Sequence, residues 1–136
     1  MELILIRHGE SGGNVKGVVY GHTDYPLTEK GMRQVPIIVE RAKRYKIDKV
    51  YASPLMRAKV IAEAISQECN VSLTLDDRLK ELYFGDYEDM PREKVIELVG
   101  DKYYEIIGFF DHVSLPGGEH QDDFLLRVKA FLDELL

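Results

Sequence analysis

The alternation of short apolar runs with helical patterns restricts the fold more than any other feature of this sequence. Residues 2–6 form an apolar run that ends in a glycine-rich loop, and residues 49–52 and 73–75 form two more. A helical pattern follows each of the first two runs. Strands that alternate with helices favour a parallel sheet covered on both faces, with ligands at the carboxyl ends of its strands. The sequence therefore predicts one α/β domain over residues 1–136, a three-layer αβα sandwich with a mostly parallel sheet.

Capping residues and prolines predict where the helices begin and end. Thr28 is expected to cap a helix that runs to about Tyr45, and Pro36 inside it predicts either a kink or a later start. Ser53, followed by Pro54, is expected to cap a second long helix. The remaining pattern predicts helices over 91–99 and 124–135 and a turn at 115–119, and it is ambiguous over 103–110.

Charge, cysteine content and hydropathy argue against several classes of protein. The net charge is −6, whereas proteins that bind nucleic acid usually present a basic face. No stretch approaches the roughly 20 apolar residues that cross a membrane, and the N-terminal run is too short for a secretory signal. A single cysteine, Cys69, cannot form an internal disulfide. We therefore expect a cytoplasmic protein with neither a nucleic-acid nor a membrane partner.

Two places in the sequence are candidates for binding an anion. Arg7 and His8 follow the first predicted strand and precede Gly9, which allows a ligand to approach the backbone closely. Arg57 lies near the start of a predicted helix, where the helix dipole favours an anion and a guanidinium can bind phosphate oxygens in pairs. A lone histidine or arginine in such positions is more often structural, so these residues by themselves leave both interpretations open.

Five motifs in the same order and spacing resemble the histidine phosphatase superfamily, which includes the phosphoglycerate mutases. The motifs are RHGES followed by Asn14, GHTDYPLTEKG, SPLMRA, ELYFGDYED and PGGEHQDDFLLRVKAFLDEL. This resemblance covers nearly the whole chain. It implies a phosphoglycerate mutase-like α/β fold and the transfer of a phosphoryl group to a histidine.

The resemblance also implies a role for each matching residue. His8 would be the nucleophile that forms a phosphohistidine, and Glu81 would protonate the leaving oxygen. The phosphate would be bound by Arg7, Arg57, Asn14 and the Gly21 amide. Thr28, Gly31 and Gln34 also match, and we assign them to helix capping and packing. No metal or organic cofactor is expected, because arginines and helix dipoles can supply the positive charge.

The sequence lacks one segment that the resemblance leads us to expect. Family members carry a second catalytic histidine on a later strand, in a stretch similar to VVSHGG, and this sequence has none. The predicted sheet therefore lacks a central strand. Three explanations remain open: a fragment of a longer enzyme, a naturally short protein, or a gap filled by rearrangement or by a partner subunit, for instance in a homodimer. The candidates to replace the missing imidazole are His22, His112 and His120, each of which is better interpreted as a loop residue.

Three smaller departures from the family pattern bear on substrate contacts. They are Ile61 where Thr is usual, Tyr87 where Trp is common, and Asp89 where Gly is usual.

The predicted function is the hydrolysis of a small phosphomonoester. The short interval between Arg57 and Pro116 favours a phosphatase over the mutases, which carry longer insertions there, and the PGGE motif resembles α-ribazole phosphatases. Two alternatives remain open, a phosphoglycerate mutase and a protein that binds phosphate with little or no turnover.

Overall fold

The computed structural model of the chain describes residues 1–108 and 115–136. These residues group into two compact units: the first consists of residues 1–15 and 24–77, and the second of residues 16–23 and 78–136. The expectation of a single domain stays a prediction. No helix within the described ranges is long and apolar enough to cross a membrane.

Six helices and four strands lie in the described part of the chain. In chain order they are α1 Gly12–Lys16, β1 Val18–Val19, α2 Glu29–Ala42, β2 Lys49–Ala52, α3 Met56–Cys69, β3 Ser72–Leu75, β4 Met90–Pro91, α4 Arg92–Val99, α5 Lys102–Gly108 and α6 Gln121–Leu135. Short 3₁₀ turns cover Asp77–Leu79 and Gly85–Tyr87.

The first unit contains a β–α–β arrangement that agrees with the sequence prediction. Strands β2 and β3 pair in parallel, with Lys49 opposite Ser72 and Ala52 opposite Leu75, and α3 connects them. Helix α3 packs against both strands and against α2. Parallel strands require such a crossover, and here the crossover helix also forms the core.

Apolar side chains of α2 and α3 form the core of the first unit. They recur every three or four residues, which places them on one face of each helix. The buried members are Val35, Val39, Ala42, Ile61 and Ile65. Ile61, one of the departures from the family pattern, is thus a packing residue whose side chain is 4% exposed.

The predicted strand at residues 2–6 is not formed, so that prediction was wrong. Leu3, Leu5 and Ile6 are exposed, Leu5 to 86%. A strand is stable when a neighbour satisfies its backbone hydrogen bonds, and no described segment pairs with these residues. Apolar composition alone predicted the strand but could not supply the neighbour.

The predicted start of α2 is correct, but the helix ends at Ala42 instead of about Tyr45, and the predicted start of α3 needs correction. Thr28 caps α2 by accepting the Gly31 amide, and α2 begins at Glu29, so Pro36 does not delay its start. Helix α3 begins at Met56, later than predicted, and the hydroxyl of Ser53 accepts the Leu55 amide at 3.3 Å instead of capping the helix. A cap must directly precede the first helical residue, and Ser53 lies too early.

The second unit consists of a two-stranded antiparallel sheet, β1 with β4, and three helices. Helix α4 begins at Arg92, within one residue of its predicted start, and packs against both strands and α5. Val19, Val95 and Tyr103 form one buried cluster, and a second is built around Leu82, which is completely buried. The α/β class is therefore confirmed, and the parallel pairing is seen in β2 and β3.

The helix predicted over 124–135 is confirmed as α6, and its apolar residues are buried only in part. Phe131 is buried, whereas Leu125 is 51% exposed. The ambiguous stretch 103–110 is helical as far as Gly108, and its remainder lies outside the described residues, as does His112.

Candidate functional site

The RHGE segment of the first unit is fixed on the start of α2. The Thr28 amide donates to the Glu10 carbonyl at 3.0 Å, and the Glu10 amide donates to Gln34 Oε1 at 2.8 Å. The Thr28 hydroxyl also donates to the Glu10 carboxylate at 2.8 Å. Capping and packing roles for Thr28, Gly31 and Gln34 were predicted, and these contacts agree with them.

Glycine at position 31 is required by the close approach of this segment. A Cβ atom added there would lie 2.0 Å from the Glu10 carbonyl oxygen, a distance at which the backbone would have to move. At Gly9 an added Cβ would lie 2.7 Å from Gln34 Oε1. The two glycines therefore allow the backbone that follows His8 to contact the helix directly.

The imidazole of His8 is half-buried and oriented by its own loop. Its Nδ1 lies 2.6 Å from the Gly9 carbonyl oxygen. Because a carbonyl oxygen only accepts, Nδ1 must carry the hydrogen in this contact, so the neutral ring has its lone pair on Nε2. This is the tautomer that a nucleophilic histidine acting through Nε2 requires.

The other predicted phosphate ligands of the first unit lie in different surroundings. Arg7 is exposed and has no hydrogen-bonding partner within the described residues. Asn14 Oδ1 accepts both the amide and the hydroxyl of Ser11 at 2.9 Å, and Ser11 is completely buried. The Asn14 oxygen is therefore used within the loop, and the Nδ2 group is the part of this side chain that remains for an anion.

Arg57 is the second residue of α3, and its side chain is nearly fully buried, at 4% exposure. Its predicted place at a helix N-terminus is correct. The Met56 amide at the same end donates to Asp24 Oδ1 at 2.7 Å. Asp24 had no predicted role, and no spacing signal in the sequence links it to a helix 32 residues away.

In the second unit, a carboxylate without a predicted site role organises the loop that carries Gly21. Glu88 is half-buried and accepts hydrogen bonds from four residues. The donors are Gly21 N at 3.0 Å, His22 N at 2.8 Å, Thr23 N at 3.1 Å, Thr23 Oγ1 at 2.6 Å and Phe84 N at 3.2 Å. Burial alone would raise the pKa of the Glu88 carboxyl, but the hydrogen bonds it accepts outweigh that effect and lower the pKa.

This arrangement bears directly on the predicted role of Gly21. Its amide donates to both oxygens of Glu88, so a phosphate would have to compete with a carboxylate for the same hydrogen. Gly21 is also in close contact with the backbone, because an added Cβ would lie 1.8 Å from the Leu82 carbonyl oxygen. The packing explains why glycine stands here, and phosphate binding by its amide stays a prediction.

Glu81, the predicted acid, also belongs to the second unit. Its side chain is exposed, and Oε1 accepts the amide of the buried Leu82 at 2.8 Å. Within the described residues Oε2 has no hydrogen-bonding partner. Of the six predicted site residues, Arg7, His8, Asn14 and Arg57 thus lie in the first unit, and Gly21 and Glu81 in the second.

Comparison with known families extends these local observations to the whole chain. A model of the histidine phosphatase superfamily (branch 1) matches residues 3–136. The chain belongs to this superfamily.

Individual members of the superfamily show how similar the chain is to related sequences and to solved structures. It is 33% identical over 136 residues to the "Probable phosphoglycerate mutase GpmB" of Salmonella choleraesuis, a match that covers 100% of the chain and 63% of that protein. The α-ribazole phosphatase of Shigella flexneri superposes with a TM-score of 0.80 at 28% identity, covering 96% of this chain and 64% of that one. The mycobacterial glucosyl-3-phosphoglycerate phosphatase, solved with VO3, gives 0.80 at 25% identity, covering 95% and 64%. The chain therefore spans slightly less than two thirds of the length of these relatives.

The other described histidines of this superfamily member make local contacts. His22 Nε2 lies 3.0 Å from the Glu81 carbonyl oxygen, and its ring lies 4.9 Å from that of Tyr83. His120 caps α6, where its Nδ1 accepts the Asp122 amide at 3.1 Å. Both residues therefore have structural roles within the described ranges.

Proposed function

We propose that the chain hydrolyses a small phosphomonoester through a phosphohistidine on His8. The hydrogen bond of Nδ1 to the Gly9 carbonyl supports this proposal most directly, because it fixes the tautomer whose lone pair is on Nε2. Membership of the histidine phosphatase superfamily supports the same chemistry. A buried Arg57 at a helix N-terminus supplies positive charge for a phosphate.

The reaction has two balanced steps. In the first, the Nε2 lone pair of His8 forms a bond to phosphorus while the bond from phosphorus to the leaving oxygen breaks. Glu81, in its protonated form, gives that oxygen a proton. In the second, water attacks the phosphohistidine, Glu81 takes a proton from the water, and the phosphorus–nitrogen bond breaks to release phosphate and restore neutral His8. Arg7, Arg57 and Asn14 would bind the phosphoryl oxygens throughout.

The decisive experiment compares the native chain with His8→Ala on p-nitrophenyl phosphate between about pH 5 and 8. We expect the mutation to lower kcat by about a thousandfold or more, and intact mass spectrometry to find covalent phosphate only on the native chain. His120→Asn is the matched control, because asparagine preserves an acceptor for the helix cap. Equal rates in the native chain and His8→Ala would refute the proposal.

Binding without turnover is the second candidate function, and the contacts of His22 and His120 favour it. Both described histidines that could have replaced a second catalytic imidazole have structural roles. This candidate predicts saturable vanadate binding that Arg57→Ala weakens, together with no phosphate release from any ester. A steady-state rate that depends on His8 would exclude it.

A phosphoglycerate mutase is the third candidate, motivated by the similarity of the chain to the probable phosphoglycerate mutase of Salmonella choleraesuis. A mutase returns the phosphoryl group from histidine to the substrate, whereas a phosphatase loses it to water. Incubation with 3-phosphoglycerate separates the two, because interconversion with 2-phosphoglycerate indicates a mutase and release of inorganic phosphate indicates a phosphatase. We expect phosphate release.

A further inference from the structure

A single guanidinium group binds the backbone on which the proposed acid Glu81 is carried. Arg127 Nη1 donates to the carbonyls of Arg78 at 2.7 Å and Lys80 at 2.8 Å, and Nη2 donates to the Glu81 carbonyl at 3.0 Å. Three carbonyl oxygens of the segment 78–81 therefore converge on one side chain. His22 Nε2, which lies 3.0 Å from the Glu81 carbonyl, adds a second donor to that oxygen.

Arg127 is itself oriented by two residues close to it in the sequence, Glu119 and Phe124. Glu119 accepts Nε at 2.6 Å on one oxygen and Nη2 at 2.8 Å on the other, and both side chains are mostly buried. The guanidinium also lies over the ring of Phe124, at 4.6 Å from its centroid. A guanidinium paired on both edges and stacked on a ring has little freedom to turn.

The donors of Arg127 are all used by the protein. A guanidinium has five N–H groups, and the five hydrogen bonds to Glu119, Arg78, Lys80 and Glu81 account for all of them. A phosphate oxygen would have to displace one of these bonds. The contacts are therefore those of a side chain that orients the backbone and not those of a phosphate ligand.

The surroundings of Glu119 favour the charged form of its carboxyl group. Burial alone would raise the pKa of the Glu119 carboxyl, but the hydrogen bond from Arg127 and the amide of Tyr83 outweigh it and lower that pKa. Glu119 therefore remains a carboxylate through the neutral range and keeps the guanidinium in its orientation.

We infer that Arg127, oriented by Glu119, is a positioning residue that fixes the direction in which Glu81 presents its carboxyl group. The inference rests on the proposed function, in which Glu81 protonates the leaving oxygen. Arg127 binds the backbone carbonyl of Glu81, and within the described residues the Glu81 carboxylate accepts one hydrogen bond, from the amide of the buried Leu82. Without Arg127, the Glu81 carbonyl would therefore keep only the hydrogen bond from His22 among the described residues, and the position of the Glu81 backbone would be less well fixed.

The test compares two esters whose need for an acid differs. A p-nitrophenolate leaves readily without a proton, whereas the alkoxide of glycerol 2-phosphate requires one. In Arg127→Lys, kcat/KM for glycerol 2-phosphate should fall about tenfold to a hundredfold, while the value for p-nitrophenyl phosphate should change far less. Glu81→Gln should give the same pattern with a larger loss, and the double variant should lose no more than Glu81→Gln alone.

Arg78→Lys provides a matched control in the same unit. Like Arg127, Arg78 pairs with a carboxylate and lies near an aromatic ring. It donates two hydrogen bonds of 2.8 Å to Glu134 in α6, and its guanidinium lies 5.5 Å from the ring centroid of Phe131. Its side chain makes no hydrogen bond to the Glu81 carbonyl in the described structure. We expect equal, small effects on the two esters. An equal loss on both esters in Arg127→Lys, or the same selective loss in Arg78→Lys, would overturn the inference.

A second readout does not depend on turnover. The Leu82 amide proton donates to the Glu81 carboxylate, so its chemical shift and exchange rate report where that carboxylate lies. In Arg127→Lys the shift should move and exchange should accelerate, with no such change in Arg78→Lys. If the native chain hydrolyses neither ester faster than His8→Ala, the proposed function fails, and an unchanged Leu82 amide in Arg127→Lys would reject the positioning role separately.

Discussion

The two loops that carry predicted site residues are fixed by different chemistry. In the first unit, a neutral amide oxygen of Gln34 accepts the Glu10 backbone amide, while the half-buried carboxylate of Glu10 accepts hydrogen bonds from the side chains of Thr28 and Lys30. In the second unit, the half-buried carboxylate of Glu88 accepts the amides of the Gly21 loop. Both solutions satisfy backbone donors that would otherwise be unpaired. They differ in that only in the second unit are the backbone amides of the loop accepted by a negatively charged carboxylate.

At each loop a glycine lies against a backbone carbonyl oxygen, in one case a glycine of the loop, Gly21, and in the other a glycine of α2, Gly31. Changing either glycine should have the largest effects. Gly21→Ala would place a Cβ atom 1.8 Å from the Leu82 carbonyl, and Gly31→Ala would place one 2.0 Å from that of Glu10. Each change should lower the free energy of unfolding by about 3 kcal/mol or more, since backbone cannot yield as a flexible side chain can. Urea denaturation followed by circular dichroism measures this.

Gly17→Ala is the control for these variants. Gly17 has a φ of +69°, but an added Cβ there would meet nothing within 4 Å, so only backbone strain of about 1 kcal/mol is expected. If Gly21→Ala and Gly31→Ala lower the free energy of unfolding no more than Gly17→Ala does, the close backbone contact is not the reason why glycine is needed at positions 21 and 31. A large loss in only one of them would show that the two loops differ in packing as well as in charge.

Replacing the charged acceptor should have the next largest effect. Glu88→Gln keeps the size of the side chain but turns one of its oxygens into an NH₂ group, which cannot accept from the amides that face it. We expect a loss of about 2 kcal/mol, because hydrogen bonds to a charged acceptor are worth more than neutral ones. Gln34→Ala, which removes the neutral acceptor of the first unit, should cost about 1 kcal/mol. Equal losses of stability in Glu88→Gln and Gln34→Ala would contradict the expectation that the charged acceptor contributes more than the neutral one.

The pH dependence of stability provides a sharper form of the same test. The folded-state pKa of Glu88 lies below its ordinary value of 4.5, so its stabilisation is fully present above about pH 4.5 and is lost as the pH falls toward the folded-state pKa. Unfolding curves at pH 3 to 7 should therefore show a steeper acid loss for the native chain than for Glu88→Gln. Gln34→Ala should leave that acid loss unchanged. A native-like acid loss in Glu88→Gln would assign it to other carboxylates, such as Glu119.

Features that depend on neighbouring residues in the sequence could be predicted, and those that depend on distant partners could not. The Thr28 cap and strands β2 and β3 follow from patterns within a few residues, and all three were predicted correctly. The strand at residues 2–6 failed because its existence depends on a second segment that would pair with it. Local periodicity contains no information about such a partner.

The site residues show the same division. Arg7, His8 and Arg57 were predicted as site residues from motifs, whereas the structural roles of the carboxylates of Glu88 and Glu119 and of the Arg127 guanidinium were not predicted. Glu88 acts on a glycine 67 residues away, and Arg127 on a carbonyl 46 residues away. Their side chains look like ordinary surface charges in the sequence, and only the fold shows that backbone groups face them.

Ion pairs of surface lysines should contribute least to the free energy of unfolding in both units, less than the half-buried carboxylate of Glu88. Lys30 lies 3.2 Å from Glu10 in the first unit, and Lys16 lies 2.8 Å from Asp89 in the second. Lys30→Met and Lys16→Met, which keep much of the aliphatic chain, should each change the free energy of unfolding by about 0.5 kcal/mol or less. Because solvent ions screen exposed charges, about 1 M NaCl should remove even that difference while leaving the effect of Glu88→Gln. A loss above about 1 kcal/mol for Lys16→Met alone would mean that the second unit depends on its surface charges as well as on Glu88, and would remove the contrast between the two loops.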